Sequence, residues 1–222
     1  MTQIPQASRK PKNYRHLWLC LIWLLFTVLY FSVSEYVLRT GYTTVSCPLD
    51  DRIPFCKYFI IPYCMWFLAL GGMTVYLAFW DVESFRQFMT FVAVGMLPVY
   101  AFFMIFPTAV DFRPAIPEGG GLCEFLLRLV FSTDGEANVT ANALPSLHVM
   151  GCIAIYAAAY HTPSLRKNGR HLLILALSLL ISASTVLVKQ HSILDVFAAL
   201  IWGGFAWWFV YDLLYAPAQK QK

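Results

Sequence analysis

The sequence predicts an all-α integral membrane protein, a bundle of six transmembrane helices. Of its 222 residues, 59% are hydrophobic and 13% are charged, whereas soluble domains are roughly 45–50% apolar and about 25% charged. The apolar residues also gather in runs of about 20, the length that crosses a bilayer as a helix. This composition excludes a disordered chain, and a formal net charge of +4 is too small to indicate a nucleic-acid partner.

Six apolar runs are candidates for the spans. A short polar tail, residues 1–16, precedes a single membrane domain that covers residues 17–222. Pro98 is expected to kink the third span, and the pairs Gly71-Gly72 and Gly203-Gly204 are expected to let neighbouring helices approach closely. The predicted spans are residues 17–38, 58–80, 88–106, 143–160, 172–188 and 193–215.

The distribution of basic residues predicts the orientation. Lys and Arg are more frequent in the tail, the second and fourth loops and the C-terminus than in the other loops. Because short basic loops stay in the cytoplasm, both termini are predicted to be cytoplasmic and loops one, three and five to lie outside. Cys47 and Cys56 share loop one, where an oxidising compartment would permit a disulfide that spacing alone does not establish. Asn138-Val139-Thr140 in loop three is a glycosylation sequon.

Loop three contains a short amphipathic segment. Apolar residues recur at helical spacing over residues 122–131, between polar ends rich in glycine, proline and acids. One interpretation is a helix that lies on the outer membrane surface. The alternative is a loop helix that packs on the bundle.

Five ionisable residues fall at the outer ends of the predicted spans. Arg113 follows span three, His148 begins span four, Lys189 and His191 occupy the very short loop five, and Asp195 lies one turn into span six. Ionisable groups inside a membrane are costly, and they usually mark functional sites. Taken singly, an interfacial histidine, a headgroup anchor or a snorkelling lysine would explain several of them. Together they indicate one site.

The spacing of these residues favours phosphoryl chemistry. His191 and Asp195 are four residues apart, so they share a face on a helix, and the acid can hold one ring nitrogen as N–H. The other ring nitrogen is then free to act as a base or nucleophile. Pro145 and Ser146 open span four, and free N–H groups at a helix start bind anions. With Arg113 and a nearby lysine as cationic donors, this set suits in-line transfer of a phosphoryl group.

Two other sites can be built from the same residues. Ser146, a histidine and Asp195 could form a hydrolase triad, but the sequence contains no G-x-S-x-G elbow, and the cations would have no role. The two histidines, Asp195 and Asp111 could hold a divalent metal, but the neighbouring cations would repel it. Both readings are weaker than a site in which a histidine takes part in phosphoryl transfer.

These residues resemble the motifs of the type 2 phosphatidic acid phosphatase superfamily. Its second motif, Pro-Ser-x-His, matches residues 145–148. Its third motif matches at Ser184, His191 and Asp195, although Thr185 stands where the family has arginine. Of the first motif, the closing Arg113-Pro114 matches, and Phe106 replaces the lysine.

The resemblance implies a role for each residue and no metal or organic cofactor. His191 would attack phosphorus to form a phosphohistidine, Asp195 would orient it, and His148 would protonate the leaving alkoxide. The substrate would be a phosphomonoester or pyrophosphate lipid in the bilayer, bound at the non-cytoplasmic face. The phosphate oxygens would be held by Arg113, Ser146 and Lys189.

The departures from the motifs keep two further functions open. The sequence Phe106-Pro107-Thr108, the motif Pro-Ser-Leu-His and the altered third motif are similar to the inositol phosphorylceramide synthase branch, which transfers phospho-headgroups between lipids. The missing lysine and arginine also allow a non-catalytic lipid-binding or transport protein. The sequence does not predict the oligomeric state.

Overall fold

Five helices are long and apolar enough to cross a membrane, judged by length and composition. A computed structural model describes residues 13–133 and 139–215. Most of the predicted tail and Asn138 of the sequon therefore lie outside the described residues. The five helical segments are Arg15–Thr40, Lys57–Trp80, Val82–Ile105, Arg170–Leu187 and Ile193–Tyr215.

The described chain contains nine α-helices, and 3-10 turns precede the first, third and eighth of them. The ninth continues as a π-helix over Trp208–Tyr215. The helices are α1 Leu21–Thr40, α2 Pro48–Arg52, α3 Ile60–Trp80, α4 Val82–Ile105, α5 Leu122–Thr133, α6 Leu147–His161, α7 Pro163–Arg166, α8 Arg170–Leu187 and α9 Ile193–Trp207.

Helix α6 corresponds to the fourth predicted span, and it has only 15 residues. It lies at the centre of the bundle, where it packs against α3, α4, α8 and α9. Its alanine-rich sequence allows close approach of the neighbouring helices because small side chains occupy little space. A helix buried in this way does not have to match the thickness of the lipid core, so the six-span count remains a prediction.

Four glycines were expected at close contacts between helices, and one of them, Gly203, lies at such a contact. A Cβ on Gly203 would lie 2.4 Å from Cδ1 of Ile153 in α6, so the absence of a side chain allows α9 and α6 to approach. Gly71, Gly72 and Gly204 have open space where a Cβ would be, and the prediction is wrong for them.

A small sheet joins loops one and three, and the all-α prediction did not include it. Strand β1 (Thr43–Thr44) follows α1, β2 (Thr108–Val110) follows α4, and β3 (Thr140–Ala141) precedes α6. β1 and β2 are parallel, and β2 and β3 are antiparallel. The sheet brings loop one together with both ends of loop three.

Helix α5 packs on the bundle, as the second interpretation of loop three proposed. Leu127 and Phe131 are buried against Ile60 and Tyr63 of α3. The opposite face exposes further apolar side chains, namely Leu122, Phe125 and Leu129.

An ion pair also fixes α5 to the start of α3. The Lys57 ammonium donates to Oε1 of Glu124 at 2.5 Å. This hydrogen bond lowers the pKa of the Glu124 carboxyl below its ordinary value. Cys47 and Cys56, the possible disulfide pair of loop one, are both free thiols.

Candidate active site

The second and third motifs meet where α6 and α9 begin. The backbone N–H of Ser146 donates to the carbonyl oxygen of Asp195 at 3.2 Å, which ties the two helix starts together. Ser146 is the N-cap of α6, and its hydroxyl accepts from the N–H of Val149 at 3.4 Å. Pro145 therefore precedes the cap. The sequence had suggested that it lies in the first helical turn, and this is wrong.

His191 lies in the loop before α9, although its partner is on the helix. Its Nδ1–H donates to Oδ2 of Asp195 at 3.0 Å, and the pair is almost fully buried. The same oxygen accepts from the backbone N–H of Ser192, which caps α9, at 2.9 Å. This bond leaves the second nitrogen of the imidazole, Nε2, as the atom with a free lone pair. The contact between His191 and Asp195 is therefore present. It arises because Asp195 takes part in the N-terminal cap of α9, and not because both residues lie on one helix face.

The two histidines line one small cavity. Their ring centroids are 6.2 Å apart, and the planes are inclined by 57°. Both rings therefore border the same small space. Nε2 of His148 is buried and has no hydrogen-bond partner among the described residues. The cavity, of about 30 Å³, is also lined by Tyr30, Tyr63, Thr140, Ala141, Asn142 and Leu147.

Arg113 reaches the site through Gln190. Its Nη2 donates to Oε1 of Gln190 at 2.6 Å, and the guanidinium lies 4.6 Å from the ring centroid of Phe131. The same amide oxygen accepts from the hydroxyl of Thr140 at 2.8 Å. Arg113 is thus a buried cation beside the residue that precedes His191.

Lys189 has different partners from those that the sequence suggested. Its backbone is in the left-handed region at φ 58°. Its ammonium donates to the carbonyl oxygens of Asp50 and Ile53, both at 2.5 Å. Two of its three N–H donors therefore hold loop one.

Asp50 is a site residue that the sequence analysis missed. Its buried carboxylate accepts from the hydroxyl of Ser192 at 2.6 Å and from the N–H groups of Ile193 and Cys47 at 2.9 and 2.8 Å. It thereby fixes the start of α9 from loop one. No signal in the sequence separates it from the exposed Asp51 beside it.

Gln190 was also missed. It is fully buried, and its Nε2 has no hydrogen-bond partner among the described residues. A buried polar group without a partner is costly, so this amide is available to a bound anion. Its place directly before His191, in a loop between two apolar spans, is the signal that could have found it.

The positions that depart from the motifs are not equivalent in the structure. Thr185, at the arginine position, is fully buried, and its carbonyl oxygen accepts from the N–H groups of Gln190 and His191. Phe106, at the lysine position, is 58% exposed. Thr185 therefore shapes loop five through its backbone.

The four residues of the alternative metal site, the two histidines with Asp195 and Asp111, do not form one group of ligands. Asp111 is exposed, and its Oδ2 accepts from the hydroxyl of Thr44 at 2.7 Å. In the ranges 13–133 and 139–215, no three His, Cys, Asp or Glu side chains form a group that could hold a metal ion.

The apolar helices define an integral membrane protein, and the paired histidines lie where α6 and α9 begin. A family model described as the PAP2 superfamily matches residues 113–217. This match confirms the resemblance seen in the motifs for just under half of the chain, and it indicates a phosphatase or phosphotransferase type of membrane protein. No curated protein and no solved structure matches the chain.

Proposed function

We propose that this protein is a metal-independent lipid phosphatase that cleaves a phosphomonoester or pyrophosphate lipid through a phosphohistidine at the non-cytoplasmic face. The observation that carries the proposal is the pair of imidazoles across one cavity, with Asp195 behind His191. One ring can attack phosphorus while the other protonates the leaving oxygen. The PAP2 match supports the reaction class.

The reaction has two steps. Nε2 of His191 attacks phosphorus, the bond from phosphorus to the lipid oxygen breaks, and His148 gives its proton to that oxygen. Asp195 stabilises the positive charge that develops on His191. Neutral His148 then takes a proton from water, whose oxygen attacks the phosphohistidine and releases phosphate. General acid help of this kind is worth about 10²–10⁴ in rate.

Arg113 and Ser146 are the proposed ligands of the phosphate oxygens. Arg113 is buried beside Gln190, whose free amide N–H group adds a neutral donor. Ser146 caps α6, so its hydroxyl hydrogen and the start of the helix can face an anion. Lys189 has one N–H beyond the two given to loop one and would contribute less.

An apolar groove beside the site supports a lipid substrate. It has a volume of about 270 Å³ and begins at Leu144 and Pro145, directly before Ser146. A lipid phosphate bound between the histidines could place a chain in it. Its remaining lining comes from α4 and α9, namely Pro98, Val99, Phe102, Ala198 and Trp202.

Headgroup transfer is the second candidate. The altered third motif, with Thr185 at the arginine position, favours it because this motif is similar to that of the inositol phosphorylceramide synthase branch. In that reaction a hydroxyl of a second lipid would replace water in the second step. Lipid binding without turnover is the third candidate.

The test uses purified protein in detergent with dioctanoyl phosphatidic acid, with and without a chelator. We expect phosphate release that the chelator does not reduce. We also expect His191→Ala to abolish it, because no nucleophile remains. His171→Ala is the matched control, since His171 lies at the opposite end of α8, about 25 Å from loop five.

Each other outcome contradicts a stated part of the proposal. Loss of substrate only when an acceptor lipid is added indicates transfer. Tight binding without turnover indicates a lipid-binding protein. Substantial turnover by His191→Ala removes the nucleophile from the proposal.

A further inference from the structure

His148 is packed against aromatic rings of α3. Its ring centroid lies 4.2 Å from that of Tyr63, with the planes inclined by 24°, and 4.4 Å from that of Trp66, with an inclination of 33°. Phe67 adds an edge contact at 6.0 Å. The imidazole therefore lies nearly parallel to two electron-rich ring faces.

Trp66 is also fixed to the backbone of the same histidine. Its indole N–H donates to the carbonyl oxygen of His148 at 2.9 Å. One turn further along α6, a Cβ on Gly151 would lie 2.5 Å from Nε1 of Trp66. Only a glycine permits this approach, because an indole ring cannot move aside as a flexible chain end can. The sequence of α6 thus makes room for Trp66.

The polar groups around His148 are few. His191 faces it, with Asp195 behind, and the phenols of Tyr63 and Tyr30 line the same cavity. None of the side chains in this set is a lysine or arginine. A protonated imidazole is a cation, and the faces of tryptophan and tyrosine attract cations, more strongly where water is excluded.

We propose that Trp66 and Tyr63 are positioning residues that hold the His148 ring towards His191 and favour its protonated form before the first step. The inference rests on the proposed function, since it assigns a purpose to the general acid. In that step the bond from phosphorus to oxygen breaks, its electron pair goes to the leaving oxygen, and the proton of His148 joins that oxygen.

The test compares two leaving groups. Dioctanoyl phosphatidic acid needs a proton on its leaving alkoxide, whereas p-nitrophenyl phosphate releases a stable anion that does not. For Trp66→Leu we expect kcat/KM on the lipid to fall about tenfold or more, the size of a lost cation–π contact. On p-nitrophenyl phosphate we expect a change below about threefold. Leucine keeps the site apolar, and the substitution removes the ring face together with the indole N–H bond to the His148 carbonyl oxygen.

The pH profile gives a second readout. The free enzyme needs His148 protonated, so its pKa sets the alkaline limb of kcat/KM. Removing the ring face disfavours the cation, and the limb should move to lower pH in Trp66→Leu. Tyr63→Leu should show the same pattern, and it serves if Trp66→Leu does not fold. Trp23→Leu is the matched control, because Trp23 is also half-buried but packs against Phe26 and Phe88.

Equal losses on both substrates, with an unchanged pH profile, would overturn the inference and leave the rings a packing role alone. Wild-type protein that hydrolyses neither substrate overturns the proposed function, and this inference with it. If the wild-type enzyme is active, and Trp66→Leu and Tyr63→Leu lose no more activity than Trp23→Leu does, only the inference is overturned.

Discussion

Lys189 and Asp50 join loop one to loop five, the segment between α8 and α9. The lysine ammonium bonds to two carbonyl oxygens of loop one, and the aspartate carboxylate bonds to the start of α9. The two residues act from opposite sides of the same junction. They hold the backbone on which His191 lies.

We expect Lys189→Met to affect stability more than substrate binding. The substitution removes two hydrogen bonds from a charged donor, each worth about 1.5–3 kcal/mol. Thermal unfolding in detergent should show a lower Tm, while the KM for a lipid phosphate changes little. A raised KM at unchanged Tm would show instead that Lys189 holds the phosphate, as the sequence alone suggested.

At the scale of elements, the proposed function would place lipid recognition in the groove between α4 and α9, apart from the two histidines. Ala198 of α9 lines this groove away from both histidines. We expect Ala198→Phe to raise the KM for dioctanoyl phosphatidic acid several-fold, because a large side chain fills space that a lipid chain would occupy. Turnover of p-nitrophenyl phosphate should be unchanged. Equal effects on both substrates would show that the acyl chain of the lipid binds outside this groove.

The contact between α5 and α3 should make stability depend on pH. The pKa of Glu124 is lowered by the hydrogen bond from Lys57, so the folded state holds this carboxyl ionised more strongly than the unfolded chain does. The contribution is complete above the unfolded pKa of the carboxyl and is lost as pH falls through the lower, folded value.

Glu124→Gln should therefore reduce Tm at neutral pH and flatten its decline in acid. Thermal unfolding at a series of pH values measures this. Glu118→Gln is a suitable control, since Glu118 is an exposed carboxylate in the same loop, whereas Glu124 is the residue that pairs with Lys57. An unchanged acid profile in Glu124→Gln would show that the ion pair contributes nothing measurable.

For the whole molecule, the prediction is that both termini lie in the cytoplasm. The helix α6 completes an even number of crossings only if it spans with the five longer helices. We expect fluorescent-protein fusions at both ends of the chain to resist protease added to intact cells. Both should be digested only after the membrane is permeabilised so that the protease reaches the cytoplasm. Opposite accessibility of the two ends would mean an odd number of crossings.

The sequence was sufficient to predict the membrane class, five of the six spans approximately, and the family resemblance, because apolar runs and motif spacing are local properties of the chain. His191 and Asp195 could be paired for the same reason, since four residues separate them. The bounds of α4 and α6 differ from the predicted spans because caps, such as Ser146, decide where a helix begins.

Only the tertiary structure decided which distant side chains surround the site. Asp50 precedes Ser192 by 142 residues along the chain, and Trp66 precedes His148 by 82. A hydropathy pattern carries no information on such contacts, because a helix face is identified only when its neighbours are known. The changed partners of Lys189 have the same origin: a long side chain can reach several groups, and the fold of loop one decides which of them it meets.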